Sequence, residues 1–183
     1  ENIDGLVIDL RGNGGGHLSE ATELTGLFVD YGPIVQLREA RGNIQVLNDP
    51  SNGAIYDGPL AVLVDRFSAS ASEIFAAAIQ DYGRGIVIGQ QTYGKGSVQN
   101  LFMLDQFIRS PGNGQITLTI GKYYRITGAS TQNRGVTPDI ELPSIIDKYI
   151  IGESNRDNSL SWDQVSPTRF SSSDNLDDEI AIL

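Results

Sequence analysis

The sequence predicts an α/β fold with mostly parallel strands, on the strength of three observations. Short runs rich in Val, Ile and Leu recur at GLVIDL (5–10), PLAVLVD (59–65) and GIVIG (85–89), each of a length that suits one buried strand. Loops rich in glycine or serine follow the first two runs. Stretches with helical spacing stand between successive runs, the pattern of parallel strands joined by right-handed crossovers.

Taken in order, GLVIDL is a strand and RGNGGG (11–16) a loop. HLSEATELTGLFV (17–29) sets Leu18, Ala21, Leu24, Leu27 and Phe28 at helical spacing. PIVQLREA and NIQVLND, with Gly42-Asn43 near their join, read as a hairpin lying over the domain. PLAVLVD is a second buried strand. The helix after it opens within SASASE (68–73) and runs to about Tyr82, with Gly83 as its stop. GIVIG is a third strand, QTYGKG (91–96) a loop and SVQNLFML (97–104) a fourth strand. SPGNGQ (110–115) makes a turn before TLTIGKYYRIT (117–127), whose alternation predicts a half-exposed strand. GVTPDIELP (135–143) closes a compact core over residues 1–143. From 144 to 183 the chain is polar and weakly patterned, with Trp162 as its one strong apolar anchor. That part reads as an appendage, loosely packed and partly flexible.

Composition narrows the function. The 183 residues are 39% hydrophobic, enough for one real core. A net charge of -10 argues against nucleic acid or an anionic membrane as the main partner. No apolar run approaches the 18 or so residues of a spanning helix. With no Cys there is neither a disulfide framework nor thiolate chemistry. His17 is the single histidine, so most zinc sites are excluded and no metal is expected. The chain opens almost directly in a strand, without Met, and reads as a piece of a longer protein. The lack of a leader segment therefore says nothing about location.

Three motifs invite a chemical reading. Gly89 to Lys95 matches G-x-x-x-x-G-K after a strand, but Gly96 stands where a phosphate-binding loop needs Ser or Thr, and a β-like run follows. The glycine run 12–16 misses the dinucleotide fingerprint because His17 holds the place of its last glycine. Its physics survives, since glycines before a helix leave bare N–H groups that an anion can approach. Ser70 and Glu73 have capping-box spacing, so Ser70 is first of all a helix cap. As a nucleophile it would need a base, and His17 and Lys95 are the candidates. Lys95 lies in a glycine-bracketed loop after the next strand, and a strand–helix–strand unit returns that loop to the sheet edge where the Ser70 helix begins. Burial there would disfavour its charged form.

With these residues assembled, the sequence resembles the carboxyl-terminal-processing, or tail-specific, serine proteases. LVIDLRGNGGG, VLVDRFSASASEIFAAAIQDYGR, VIGQQTYGKGSVQ and TIGKYYRITGASTQNRGVTPDI run in that family's order through residues 5 to 140, and NSLSWDQV resembles the continuation seen in proteobacterial members. The resemblance implies the superhelical α/β fold shared with ClpP and crotonases, and a serine endopeptidase that needs no cofactor. It implies Ser70 as nucleophile, Lys95 as base and Gln99 as support for the lysine. It places the oxyanion donors at the N–H groups of Ala71 and Gly16, and adds an acidic residue at Asp81. Eleven residues along a helix rise about 16 Å, which makes Asp81 structural, paired with Arg84. The implied substrates are proteins or peptides with exposed C-terminal tails, and the implied compartment is the periplasm. The family's PDZ domain has no counterpart in this chain. The alternative is a non-catalytic binding module of the same fold that holds an apolar ligand or peptide.

Overall fold

The computed structural model of the chain describes residues 3–49, 53–108 and 112–172. Two four-stranded sheets enclose one central helix. The first sheet is parallel and contains β1 (Leu6–Asp9), β4 (Leu60–Val64), β5 (Ile86–Gly89) and β8 (Ile140–Glu141), in that spatial order. Each later strand adds to the same side of the last, so the chain advances across the sheet. The second sheet is antiparallel, with β3 (Ile44–Asn48), β2 (Pro33–Glu39), β7 (Gln115–Tyr124) and β6 (Ser97–Met103) in order. It consists of two hairpins joined through the β2–β7 pair.

The expected hairpin at PIVQLREA and NIQVLND is β2–β3, and the three apolar runs are β1, β4 and β5. SVQNLFML is the expected strand, β6, and it pairs antiparallel with β7 in the second sheet. The exposure of β7 does not alternate along its length. Its first five residues are exposed and its last two, Tyr123 and Tyr124, are buried, because the β6–β7 hairpin runs out beyond the core. Part of the turn expected at 110–115 lies outside the described residues.

Helix α1 spans Leu18–Gly26 and α2 spans Ala71–Asp81. Every residue of α2 from Ser72 to Ile79 is buried, as befits a helix with a layer on each side. Phe75 and Ile79 turn one face to Val62, Val64 and Val87 of the parallel sheet. Ile74 and Ala78, one position back, turn the other to Val35 and Tyr123 of the antiparallel sheet. The helix ends at a Schellman motif, with Arg84 N–H donating to Ile79 and Gly83 N–H to Gln80.

Residues 144–172 are mostly exposed or half-buried and are tied to the core at a few points. Trp162 Nε1 donates to the Ser130 carbonyl at 2.8 Å, under the Arg134 guanidinium at 3.6 Å. Phe170 packs edge-on against Tyr82, and Asp163 pairs with Arg38 and Lys122. The expected anchor, Trp162, thus holds part of this stretch to the core. The expected fraying beyond residue 172 lies outside the described residues.

Asp81 closes the far end of α2. It pairs with Arg125, whose Nη2 lies 2.5 Å away, while Arg84 donates to the carbonyls of Phe28 and Tyr56. The expected partner, Arg84, is therefore replaced by Arg125. The Asp81 side chain is only 4% exposed, so removing its partner strands a buried charge. Arg125→Met is expected to lower stability by about 3 kcal/mol, measured by urea unfolding at neutral pH. A change below about 1 kcal/mol, the scale of a surface pair, would contradict the pairing.

Candidate active site

Three loops leave the carboxyl ends of neighbouring parallel strands: 10–17 after β1, 65–70 after β4 and 90–96 after β5. The crevice outside such strand ends is the usual place for a site in an open α/β sheet. The local bonding shows how each loop is set.

Of the three serines at the head of α2, two are committed to structure. Ser68 is fully buried, and its hydroxyl donates to the Leu10 carbonyl at 2.8 Å and accepts the Asp65 N–H at 2.9 Å. The Ser72 hydroxyl donates to the Asn13 carbonyl at 3.1 Å. Both therefore tie the β4 loop to the glycine loop. Ser70 lies between them with φ 59° and ψ -116°, a backbone conformation that glycine adopts readily and other residues rarely do. Strain of this kind, on a residue facing a cleft, collects at functional sites.

The glycine loop lies directly against this turn. A Cβ on Gly15 would fall 2.6 Å from the Ala69 carbonyl and 2.8 Å from the Ala71 nitrogen, so only glycine fits there. Gly15 N–H is taken by the Asn13 side chain at 2.9 Å. Among the described residues, the N–H groups of Gly16 and Ala71 have no hydrogen-bond acceptor. The second is an uncommitted donor at the N-terminus of α2.

The Ser70–Glu73 capping box forms, but Glu73 does far more than cap. Its fully buried carboxylate accepts the N–H of Ser70 at 2.8 Å, of Gly94 at 2.7 Å and of Lys95 at 2.9 Å, and the Thr92 hydroxyl at 2.5 Å. One side chain thus fastens the Ser70 turn to the Lys95 loop. Tyr123 fastens the same two points from their carbonyl side, its hydroxyl lying between the carbonyls of Ser70, at 3.1 Å, and Lys95. Gln132 completes the loop by accepting Gly96 N–H at 2.8 Å.

These loops enclose a cleft of about 330 Å³ lined by Gly16, His17, Ser70, Ala71, Lys95 and Gln99, among others. Lys95 is half-buried, and its Nζ donates to Gln99 Oε1 at 3.3 Å. The structure therefore gathers Ser70, Lys95, Gln99, Gly16 and Ala71 in one place, together with His17. It does not bring Asp81, which is eleven residues along α2 from Ser70. Among the described residues no three His, Cys, Asp or Glu side chains cluster as metal ligands.

The model of peptidase family S41 matches residues 1–142. This chain belongs to family S41. It is 48% identical over 176 residues to a tail-specific protease of Haemophilus influenzae, covering 93% of this chain and 25% of that protein. It is 42% identical over 141 residues to a carboxy-terminal-processing protease of Bartonella bacilliformis, covering 76% of this chain and 31% of that protein. Among solved structures, the photosystem II D1 C-terminal processing protease is similar, with a TM-score of 0.67 and 32% identity over 80% of this chain and 36% of that one. The S41 chain described here thus spans about a quarter to a third of the curated relatives it matches.

In the sequence Glu73 reads only as a cap, and Tyr123, Thr92 and Gln132 do not stand out. The available signal was a glutamate embedded in an otherwise apolar helix, IFAAAI following directly. Such a residue is seldom buried unless several donors meet it. Burial pushes its carboxyl up to about 7, against Thr92 and the amides of Ser70, Gly94 and Lys95, from 4.5 as an ordinary glutamate. The folded state therefore holds this proton more tightly than the unfolded chain. Stability from Glu73 is full below about pH 4.5 and is lost as pH rises to about 7. Relative to Glu73→Gln, which has no proton to release, the S41 chain should lose about 3 kcal/mol across that window. Urea unfolding of both proteins at several pH values measures it; a constant difference would contradict the assignment.

Proposed function

We propose that the chain is the catalytic core of a serine endopeptidase that uses a Ser70–Lys95 dyad and cuts proteins near their C-terminal tails. The observation that carries this reading is Ser70 itself, held in a strained turn at a helix N-terminus while Ser68 and Ser72 are bonded elsewhere. In the proposed reaction Ser70 Oγ attacks the scissile carbonyl and Lys95, in its neutral form, takes the hydroxyl proton. The same proton passes to the leaving amine, and water then hydrolyses the acyl-enzyme with Lys95 as base again. Gln99 orients the lysine amine without adding negative charge beside it. The uncommitted N–H groups of Gly16 and Ala71 receive the oxyanion, and the α2 dipole favours negative charge at the same point.

The relatives' names, tail-specific protease and carboxy-terminal-processing protease, support proteins cut near their C-terminal tails as the substrate class, and the periplasmic setting is proposed from the motif resemblance alone. No helix among the described residues is long and apolar enough to cross a membrane. A binding module of the same fold would have no need for Ser70, Lys95 and Gln99 together. A histidine-based reading has one observation in its favour, since His17 lines the same cleft.

Variants in the intact protein, assayed on a tailed protein substrate, separate these readings. Ser70→Ala is expected to abolish cleavage and covalent labelling by a fluorophosphonate, while lowering stability by about 1 kcal/mol, the worth of a cap. Lys95→Arg should be as inactive as Lys95→Ala, because guanidinium keeps its proton. His17→Ala should stay within about tenfold of the parent rate; a loss near the 10²–10⁴ typical of a general base would move that role to His17. Unimpaired cleavage by Ser70→Ala would leave Ser70 as a cap only.

A further inference from the structure

The loop that carries Lys95 is held from a second side. Arg66, in the turn after β4, is only 4% exposed, yet none of the ion pairs among the described residues includes it. Its guanidinium is caged by backbone carbonyls instead. Nε donates to Ile151 at 2.5 Å, Nη2 to Lys148 at 3.0 Å, and Nη1 to Gln91 at 3.4 Å and to Thr92. Two acceptors thus belong to the Lys95 loop and two to the segment that follows the parallel sheet.

That segment continues onto the same loop. Glu153 N–H donates to the Tyr93 carbonyl at 3.0 Å, and Arg156 Nε donates to the Tyr93 hydroxyl at 2.9 Å. Just before Glu153, Gly152 meets Arg66 so closely that a Cβ would lie 2.1 Å from Arg66 Nη2. The family model ends at residue 142, and the Bartonella match covers 76% of the chain, whereas the Haemophilus match covers 93%. Residues 148–156 therefore lie beyond the part of the chain that the family model matches.

We propose that residues 148–156, gripped by Arg66, form a strap that positions the Lys95 loop for proton transfer, with Arg66 and Gly152 as positioning residues. The proposal rests on Lys95 being the base. Glu73 fixes the loop through the N–H groups of Gly94 and Lys95, and Arg66 fixes it through the carbonyls of Gln91 and Thr92. A peptide segment bonded on both sides keeps its side chain's origin in place, and displacements near 1 Å are enough to lose proton transfer. A buried cation satisfied only by carbonyls also ties the strap tightly, because releasing either segment leaves charge unpaired in the interior.

The test uses the intact protein and one peptide substrate. Gly152→Ala should lower kcat about 10- to 100-fold with KM within about twofold, and should move the pH profile of kcat. Arg66→Lys should retain more turnover than Arg66→Met, since an ammonium still donates to part of the cage. Arg156→Ala, a surface change that leaves the cage intact, should reduce kcat severalfold and decides the matter if the buried variants fail to fold. Unchanged kcat and pH profile in Gly152→Ala and Arg156→Ala, alongside an inactive Lys95→Ala, would overturn the strap alone. An active Lys95→Ala would overturn the lysine base and the strap with it.

Discussion

A single buried carboxylate sets the spacing of the site. Glu73 accepts amide protons from Ser70 on its own helix and from Gly94 and Lys95 on a loop that begins after another strand. Neither element could fix the other by local sequence. Without that shared acceptor, the N–H groups of Ser70, Gly94 and Lys95 and the Thr92 hydroxyl would have to find new partners. The Tyr123 hydroxyl repeats the link on the carbonyl side. Ser70 and Lys95 are thus held by both halves of their peptide groups.

The fold makes this link possible. β1, β4 and β5 are adjacent and parallel, so the glycine loop, the Ser70 turn and the Lys95 loop all emerge at one end of the sheet. Burying α2 between two sheets places Glu73 among groups that water cannot reach, where an unpaired donor is expensive and a shared acceptor is decisive. Gly15 allows the glycine loop to touch the Ser70 turn, and the side chains of Ser68 and Ser72 hold the two loops together. In the proposed reaction these contacts aim the amides of Gly16 and Ala71 at one point.

The elements that follow from local pattern could be read from the sequence. GLVIDL, PLAVLVD and GIVIG announce buried strands, and the SASASE head of α2 carries its capping box openly. The Ser70–Lys95 neighbourhood could also be anticipated, because a strand–helix–strand unit returns its loop to the start of the helix. What escaped were decisions made by distant partners. β6 has the composition of any strand, and only its pairing with β7 assigns it to the antiparallel sheet. Asp81 turns to Arg125, 44 positions away, where its near neighbour Arg84 looked sufficient. In the polar stretch after 143 Trp162 stands out as an anchor, but the backbone carbonyls around Arg66 leave no hydrophobic period to read.

If Glu73 sets the relation between Ser70 and Lys95, its loss must disable the serine without unfolding the chain. The direct measurement is the rate at which a fluorophosphonate labels Ser70, the proposed nucleophile, in the intact protein and in its Glu73→Gln variant, at a pH above about 7 where Glu73 is ionised and both are folded by circular dichroism. Labelling is predicted to slow by about 100-fold or more, because the amide's NH₂ group faces donors where the carboxylate accepted them. Labelling of the variant at the parent rate, with the fold intact, would contradict the assignment of Glu73 as the residue that sets the site.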